Sequence, residues 1–365
     1  MSDITDPLPD EVSADLATLR SALDDDKNGG VPARALDRNL LIATWNIRAF
    51  GDLTEKWESA DGDSPKRDLH SLLCIAEIIS RFDVIAIQEA RDNLKALRHL
   101  IHVLGPNWGL SLTDVTEGAP GNGERMAFLF DTRRVQLSGL ACEIVVPQEQ
   151  LERIEPGALQ MQFARTPYAV SFRSGEKTFI LITLHILYGE SEEERLPELK
   201  AIAEWLAGWA RDINSWDHNL IALGDFNIDR RGDALHDAFV STGLEIPQDL
   251  QEAPRTIFSD PQKPELNKFY DQIAWFTGRN NLPALSMQYS RGGYFDFTRA
   301  ALTTRELTKV QLSWRISDHY PLWAEFSACQ HGAWLHQTPS QLLSAPKEAD
   351  KRRPLGRSVL GTGSP

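Results

Sequence analysis

The sequence is poor in cysteine, with only Cys74, Cys142 and Cys329 among 365 residues. Three widely spaced cysteines exclude a disulfide framework and a zinc site built on cysteine ligands. Each cysteine lies in or beside an apolar segment, so we interpret all three as small buried side chains.

Positive charge is also scarce, because 38 lysines and arginines face 52 acidic residues and give a net charge of −14. Such a surface does not attract nucleic acid or anionic membranes through its bulk charge. A phosphate ligand therefore needs a local site, for which a bound metal ion is the simplest solution.

Long apolar runs are missing: none reaches the roughly 18 residues that a membrane span requires. The N-terminal segment has neither the basic nor the apolar region of a secretory signal, so we expect a cytoplasmic protein. The phosphate-binding loop of nucleotide hydrolases, Gly-x₄-Gly-Lys-Ser/Thr, is absent as well.

Composition divides the chain into three parts. Residues 1–38 contain nine acidic and four basic residues, which predicts a disordered acidic tail. Residues 329–365 become rich in Pro, Ser, Gly and Arg and predict a largely disordered extension. The remaining residues, 39–328, form the predicted domain.

Within that domain, short apolar runs alternate with longer amphipathic ones, which predicts a layered α/β fold. We expect helices over 66–81, 94–104 and 191–213, the last one starting with a capping box of Ser191 and Glu194. Trp205 and Trp209 are four residues apart in this helix and are interpreted as core. Strands are predicted over 40–47, 83–87, 126–130, 168–172, 179–184, 220–223, 272–276 and 322–326.

Polar side chains stand at an end of six of these strands. Any one of them could be a turn former, but six of similar chemistry favour a common site, since polar groups beside buried strands are costly unless paired or bound to metal. They are Asn46, Glu89, His185, Asp225 with Asn227, Asp271, and Asp318 with His319.

The chemistry of these side chains narrows the reaction. Oxygen ligands without thiolates suit Mg²⁺, Mn²⁺ or Ca²⁺. Histidines among carboxylates suit proton transfer near neutral pH. Together they predict metal-assisted attack of water on a phosphate ester.

At these residues the sequence resembles the endonuclease/exonuclease/phosphatase superfamily, and within it the deoxyribonuclease I branch. The resemblance implies a four-layer α/β sandwich, in which two packed, mixed and largely antiparallel β-sheets are flanked by helices. The matching segments occur in the family's order at 44–48 (TWNIR), 87–92 (IQEARD), 123–128 (GERMAF), 165–167 (RTP), 184–185 (LH), 224–227 (GDFN), 270–273 (YDQI) and 317–321 (SDHYP).

The resemblance implies a metal site and a phosphate site. Glu89, with Asn46 and Asp318, matches the ligands of Mg²⁺, for which Mn²⁺ is an alternative and Ca²⁺ an alternative as a structural ion. Asp225 matches the acid that orients water or handles its proton. Asn227 matches the amide that holds a phosphate oxygen.

The resemblance also implies two histidine–carboxylate pairs. His319 matches the histidine that pairs with Asp271, and His185 matches the one that pairs with Glu124. Arg165 matches an arginine that contacts a substrate phosphate. Arg91 matches one that reaches toward the DNA groove, although a salt bridge at the start of a helix is nearly as good an interpretation.

Some segments depart from the family pattern. Asn122 stands where the deoxyribonuclease I type carries an aromatic wedge for the minor groove, which weakens the case for duplex recognition. The disulfide of secreted members is missing. Residues 291–299 look like an insertion, interpreted as a loop packed on the body, with base stacking as the less favoured alternative.

Three functions remain after this comparison. The leading prediction is a metal-dependent phosphodiesterase, an endonuclease whose partner is DNA; no protein partner is evident. The alternative is a phosphatase or phosphodiesterase acting on a small or lipid phosphate. A binding scaffold without catalysis ranks last, because every expected position is filled. The number of metal ions and the oligomeric state stay open.

Overall fold

The predicted strands assemble into two six-stranded β-sheets in the computed structural model. The structure describes residues 7–116, 123–144, 163, 165–189, 191–212, 217 and 219–327. All of them lie in one compact unit, Met1–Gln330. The predicted extension at 329–365, together with Cys329, lies outside the described residues.

The first sheet has the order β11-β12-β1-β2-β4-β3. Its central pair, β1 and β2, is parallel, and the other described pairs are antiparallel. Its strands are β1 (Asn39–Phe50), β2 (Val84–Arg91), β3 (Trp108–Leu112), β4 (Glu124–Asp131), β11 (Tyr289–Tyr294) and β12 (Leu322–Ser327).

The second sheet has the order β5-β6-β7-β8-β10-β9, again with one parallel pair, β7 and β8, at its centre. Its strands are β5 (Gln136–Glu143), β6 (Tyr168–Ser174), β7 (Lys177–His185), β8 (Leu220–Asp225), β9 (Leu244–Glu245) and β10 (Asp271–Phe276). The two mixed sheets and their flanking helices confirm the predicted α/β sandwich.

Alternation along the strands creates two cores. Successive side chains of a strand point to opposite faces. In β1, Leu40 and Ile42 therefore join the core shared with the second sheet, whereas Leu41 and Ala43 join the core beneath the N-terminal helices. The helices are α1 (Asp10–Asp24), α2 (Leu69–Ile79), α3 (Lys95–Leu104), α4 (Glu192–Arg211), α5 (Ala234–Val240), α6 (Gln248–Glu252) and α7 (Lys309–Ser313).

Helix α1 contradicts the predicted disorder of the N-terminal segment 1–38 over Asp10–Asp24, and residues 1–6 lie outside the described residues. Val12, Leu16, Leu19 and Leu23 follow each other at helical spacing, form one apolar face and are buried against the body. The acid-rich composition concealed this face. Asp15 is buried as well, and it accepts hydrogen bonds from the hydroxyls of Thr303, at 2.5 Å, and Thr304, at 2.9 Å.

Two further local predictions are wrong. Ser191 is the N-cap of α4, but its side chain makes no capping hydrogen bond, so the capping box does not form. Residues 291–299 do not form the predicted loop, because their first part belongs to edge strand β11 and Phe297–Arg299 is a 3₁₀ turn. Arg291 is bound by Glu325 at 2.8 Å and by Asp26 at 2.7 Å, which disfavours base stacking there.

The structure agrees with the interpretation of the two tryptophans as core residues and, in part, with that of the cysteines as buried side chains. Trp205 and Trp209 meet edge to face at 4.8 Å and pack against the core. Cys74 is buried, whereas Cys142 is only half-buried on edge strand β5. Among the described residues, no helix has the length and apolar character to cross a membrane. The cytoplasmic location and the domain limits 39–328 stay predictions.

The packing of α1 predicts a stability effect. Leu19→Ala should lower the free energy of unfolding by about 2–5 kcal/mol, because Leu19 is fully buried and its loss leaves a cavity. Denaturant unfolding measures this, with Ser13→Ala on the exposed face of α1 as the control. Equal stability of Leu19→Ala and the wild type would show that α1 is not docked.

Candidate active site

Strand register brings the polar strand ends of the second sheet together. The parallel pairing of β7 and β8 sets His185 beside Asp225, and the antiparallel pairing of β10 sets Asp271 beside Asp225. Gly224 adopts φ +140°, and a Cβ at this position would lie 2.1 Å from the carbonyl oxygen of Leu184. Only glycine therefore lets β7 and β8 approach this closely.

Asp225 lies at the centre of the site and is 2% exposed. Its Oδ2 accepts a hydrogen bond from the amide of Asn46 in the first sheet at 3.0 Å. The same oxygen lies 3.7 Å from Nε2 of His185 and 3.9 Å from Nε2 of His319. Its Oδ1 accepts from the backbone N–H of Asn227 at 2.9 Å. One buried carboxylate thus contacts four of the predicted site residues.

His319 pairs with Asp271, as the resemblance implies, at 2.7 Å between Nδ1 and Oδ2. Burial by itself would lower the pKa of His319, but the charge and hydrogen bond of Asp271, together with Asp225, raise it to about 10. The indole N–H of Trp45 donates to the backbone carbonyl of His319 at 2.8 Å and so holds the backbone at this position. Asp271 therefore orients the ring of His319, which holds its proton at neutral pH.

His185 pairs with Glu124 at 2.8 Å between Nδ1 and Oε2. Arg165 contacts the same oxygen at 2.6 Å, and Arg91 lies 3.4 Å from Oε1. Burial would raise the pKa of Glu124, but the hydrogen bond and charge of His185 and the charges of Arg165 and Arg91 lower it to about 2. Glu124 therefore stays ionised and fixes the orientation of His185.

Two predicted metal ligands, Asn46 and Glu89, lie in the C-terminal parts of the neighbouring strands β1 and β2, and Asp318 lies in the segment before β12. Oδ1 of Asn46 is buried and has no hydrogen-bond partner among the described residues. Glu89 has φ +60°, a conformation uncommon outside glycine, and its Oε2 accepts from the backbone N–H of Ala49 at 2.8 Å. Asp318 lies 3.3 Å from the guanidinium of Arg48. An unpartnered amide oxygen and two carboxylates fit a hard divalent cation.

The described residues hold a second group that can bind a metal. Asp225, Asp271 and His319 each offer one ligand atom, and these atoms lie within 4.8 Å of one another. The family resemblance gave these three residues roles in orienting water and in proton transfer and not in metal binding, so this cluster lies outside the predicted ligand set.

The predicted phosphate-binding residues are largely occupied by protein partners. The side-chain nitrogen of Asn227 donates to the carbonyl of Ile186 at 2.6 Å, and φ +48° places Asn227 in the left-handed region. Arg165 is buried against Glu124. Arg91 is the most exposed of the three and bridges Glu89 and Glu124, as the salt-bridge alternative anticipated. Asn122 lies outside the described residues.

Sequence reasoning gave no role to several residues that build the site. The ring of Tyr270 stacks on that of His319 at 5.7 Å. The hydroxyl of Ser317 donates to the Asn46 carbonyl at 2.6 Å and accepts from the backbone N–H of His319 at 3.1 Å. Both residues belong to segments that match the family, and this match was the only feature of the sequence that pointed to a role for them.

Arg67 lies outside the segments that match the family, so no motif pointed to it. It is fully buried, and its guanidinium donates to the carbonyls of Arg48, Ala49, Arg315 and Ile316. Two of these carbonyls belong to the end of β1, next to Ala49, whose N–H binds Glu89, and the other two belong to the segment that leads to Asp318. Arg67 therefore ties the end of β1 to the segment before Asp318.

Comparison with known proteins agrees with this geometry. The sequence model of the endonuclease/exonuclease/phosphatase family matches residues 43–319. A protein named deoxyribonuclease from Thioalkalivibrio sp. (strain K90mix) is 25% identical over 310 residues, which cover 81% of this chain and 73% of the relative.

Solved structures show the same fold. A family protein from Bacteroides thetaiotaomicron is 19% identical with a TM-score of 0.53, and the match covers 80% of this chain and 98% of that one. The catalytic domain of human Nocturnin, with bound sulfate, is 17% identical with a TM-score of 0.52, and the match covers 80% of this chain and 95% of that one.

The charge of Glu124 predicts a pH-dependent stability. Its pKa falls from 4.5 to about 2 on folding, so ionised Glu124 stabilises the fold above pH 4.5, and this stabilisation is lost as the pH falls toward 2. Glu124→Gln should therefore cost about 3 kcal/mol at pH 7 and roughly half of that at pH 3. Urea unfolding at both pH values measures the difference.

A matched control is Glu204→Gln, on the exposed side of α4, which should leave stability unchanged at both pH values. A Glu124→Gln variant as stable as the wild type at pH 7 would contradict the assigned ion pairs.

Proposed function

Because the chain belongs to the endonuclease/exonuclease/phosphatase family, whose members are phosphoesterases, we propose that it is a divalent-metal-dependent phosphodiesterase that cleaves DNA. The observation that carries the proposal is the convergence of two histidine–carboxylate pairs, His319–Asp271 and His185–Glu124, on Asp225. The relative named deoxyribonuclease supports DNA as the substrate.

The two histidines suit opposite proton-transfer roles. His319 holds a proton at neutral pH and can give it to the leaving oxygen or stabilise the charge that develops there. His185 uses Nδ1 for Glu124, and its Nε2 faces Asp225, so this pair can take the proton of the attacking water. Different environments thus separate an acid from a base within one site.

The metal ion would be held by Asn46, Glu89 and Asp318, with Mg²⁺ as the first choice and Mn²⁺ or Ca²⁺ as alternatives. When bound, it would polarise the phosphate and lower the pKa of a bound water. The protein's own contribution is to orient these ligands: Ala49 fixes Glu89, and Asp225 fixes the amide of Asn46.

Substrate class is tested by an activity panel. The full chain should nick supercoiled plasmid in the presence of Mg²⁺ or Mn²⁺, lose this activity in EDTA, and leave phosphomonoesters and lipid phosphates intact. His319→Ala, purified in parallel, controls for a contaminating nuclease. Turnover of phosphomonoesters alone would favour the phosphatase alternative, and no turnover of any substrate would favour a scaffold.

The proton-transfer roles predict large losses of rate. His185→Ala and His319→Ala should each lower kcat by roughly 10²- to 10⁴-fold, the usual range for a lost general acid or base. Initial nicking rates at saturating metal measure this. His102→Ala, on the exposed side of α3, should keep the wild-type rate. Near-normal turnover in either site variant would refute the two-pair scheme.

A further inference from the structure

Three aromatic side chains stand out by their exposure. Among the residues that the structure describes, Tyr188 (52%), Phe258 (48%) and Trp314 (47%) are the aromatic residues with more than a third of their surface exposed. Exposed aromatic rings forgo the free energy of burial, and clusters of them mark binding surfaces. We refer to these three residues as the aromatic rim, because each is connected to the candidate active site.

Trp314 is connected through Arg48. It follows helix α7, and the guanidinium of Arg48 lies 3.8 Å from the centre of its ring. Arg48 also contacts Asp318 at 3.3 Å, so the indole is one side chain away from a predicted metal ligand. A guanidinium stacked on an indole fixes the ring in place.

Tyr188 is connected through Tyr270. The two rings meet edge to face at 6.1 Å, and Tyr270 in turn stacks on the imidazole of His319. The guanidinium of Arg195 lies 5.2 Å from the centre of the Tyr188 ring. This second exposed ring is therefore also held in place by an arginine, and it is linked to the proton-transfer pair.

Phe258 is connected through the backbone. The N–H of Ile257, its neighbour, donates to the carbonyl of Asp318 at 2.9 Å, and Thr256 forms an antiparallel bridge with His319. Phe258 thus extends from a segment that is paired with the Asp318–His319 segment. Each of the three rings is thus linked, through side-chain contacts or backbone pairing, to the Asp318–His319 segment.

We propose that the aromatic rim stacks unpaired bases, so that the protein binds single-stranded DNA in preference to duplex DNA. This inference rests on the proposed function. Bases in a duplex are stacked on each other, whereas a single strand offers free π faces that aromatic side chains bind without sequence preference. With a net charge of −14, the chain needs such a contribution, because bulk electrostatic attraction to the phosphate backbone is unavailable.

Binding without catalysis tests the rim directly. Fluorescence anisotropy in EDTA compares a labelled dT 12-mer, a strand of equal length built from abasic nucleotides, and a hairpin duplex. The wild-type protein should bind the dT strand more tightly than either other ligand. Trp314→Leu should lower affinity for the dT strand by about 5- to 150-fold, the value of one stacked base, and leave affinity for the abasic strand unchanged.

Matched variants separate stacking from apolar contact and from folding defects. Trp314→Phe should retain most of the affinity, because it keeps an aromatic face, and Tyr188→Leu should repeat the loss. Leu137→Ala, an equally exposed apolar residue on edge strand β5, should bind as the wild type does. Circular dichroism and thermal unfolding of each variant monitor the fold.

The outcomes distinguish this inference from the proposed function. Equal wild-type affinity for the dT and abasic strands, or undiminished binding by Trp314→Leu and Tyr188→Leu, would overturn the rim. Base-dependent binding without cleavage in Mg²⁺ would uphold the rim and overturn the proposed function. Rapid plasmid nicking by rim variants whose binding is unchanged would uphold the proposed function and overturn the rim.

Discussion

The burial of Asp225 between the two sheets is the constraint on which the site depends. An ionised carboxylate that is removed from water is costly unless hydrogen bonds and opposite charges compensate it. Here part of the compensation comes from Asn46 in β1 and from His319 just before β12, on the side of the first sheet. The rest comes from His185 in β7 and from the Asn227 backbone after β8, on the side of the second sheet. These groups meet at Asp225 because the sheets pack with these strand ends facing each other. The arrangement that satisfies the buried charge is the same arrangement that assembles the reactive groups.

The two histidine pairs differ in what surrounds their carboxylates. Asp271 is fully buried, and burial raises its pKa to about 6. Glu124 is also buried, but two arginines accompany His185 around it, and its pKa falls to about 2. Burial thus dominates at Asp271, whereas neighbouring positive charge dominates at Glu124. The proposed division of the two histidines into an acid and a base rests on this difference.

Much of the fold and of the candidate site was predictable from the sequence, because buried strands and the motifs at their ends are local features. The pairings His319–Asp271 and His185–Glu124 came from the family resemblance, and the structure brings both pairs within hydrogen-bonding distance. Helix α1 was missed because composition was weighed above the apolar spacing of Val12 to Leu23. Strand β11 was missed because its Ser-Arg-Gly-Gly run lacks apolar alternation and pairs only through the tertiary fold. The roles of Arg67 and the rim depend on long-range proximity, which no local pattern encodes.

Gly224 shows how closely fold and chemistry are joined here. Its missing side chain admits the Leu184 carbonyl, and the residues that follow these two positions are Asp225 and His185. Glycine carries only a hydrogen atom in place of a side chain, so the two strands can come close together here. This close approach accompanies the separation of 3.7 Å between Nε2 of His185 and Oδ2 of Asp225. Any side chain at this position would therefore disturb the pairing of β7 and β8 and the placement of His185 beside Asp225 at the same time.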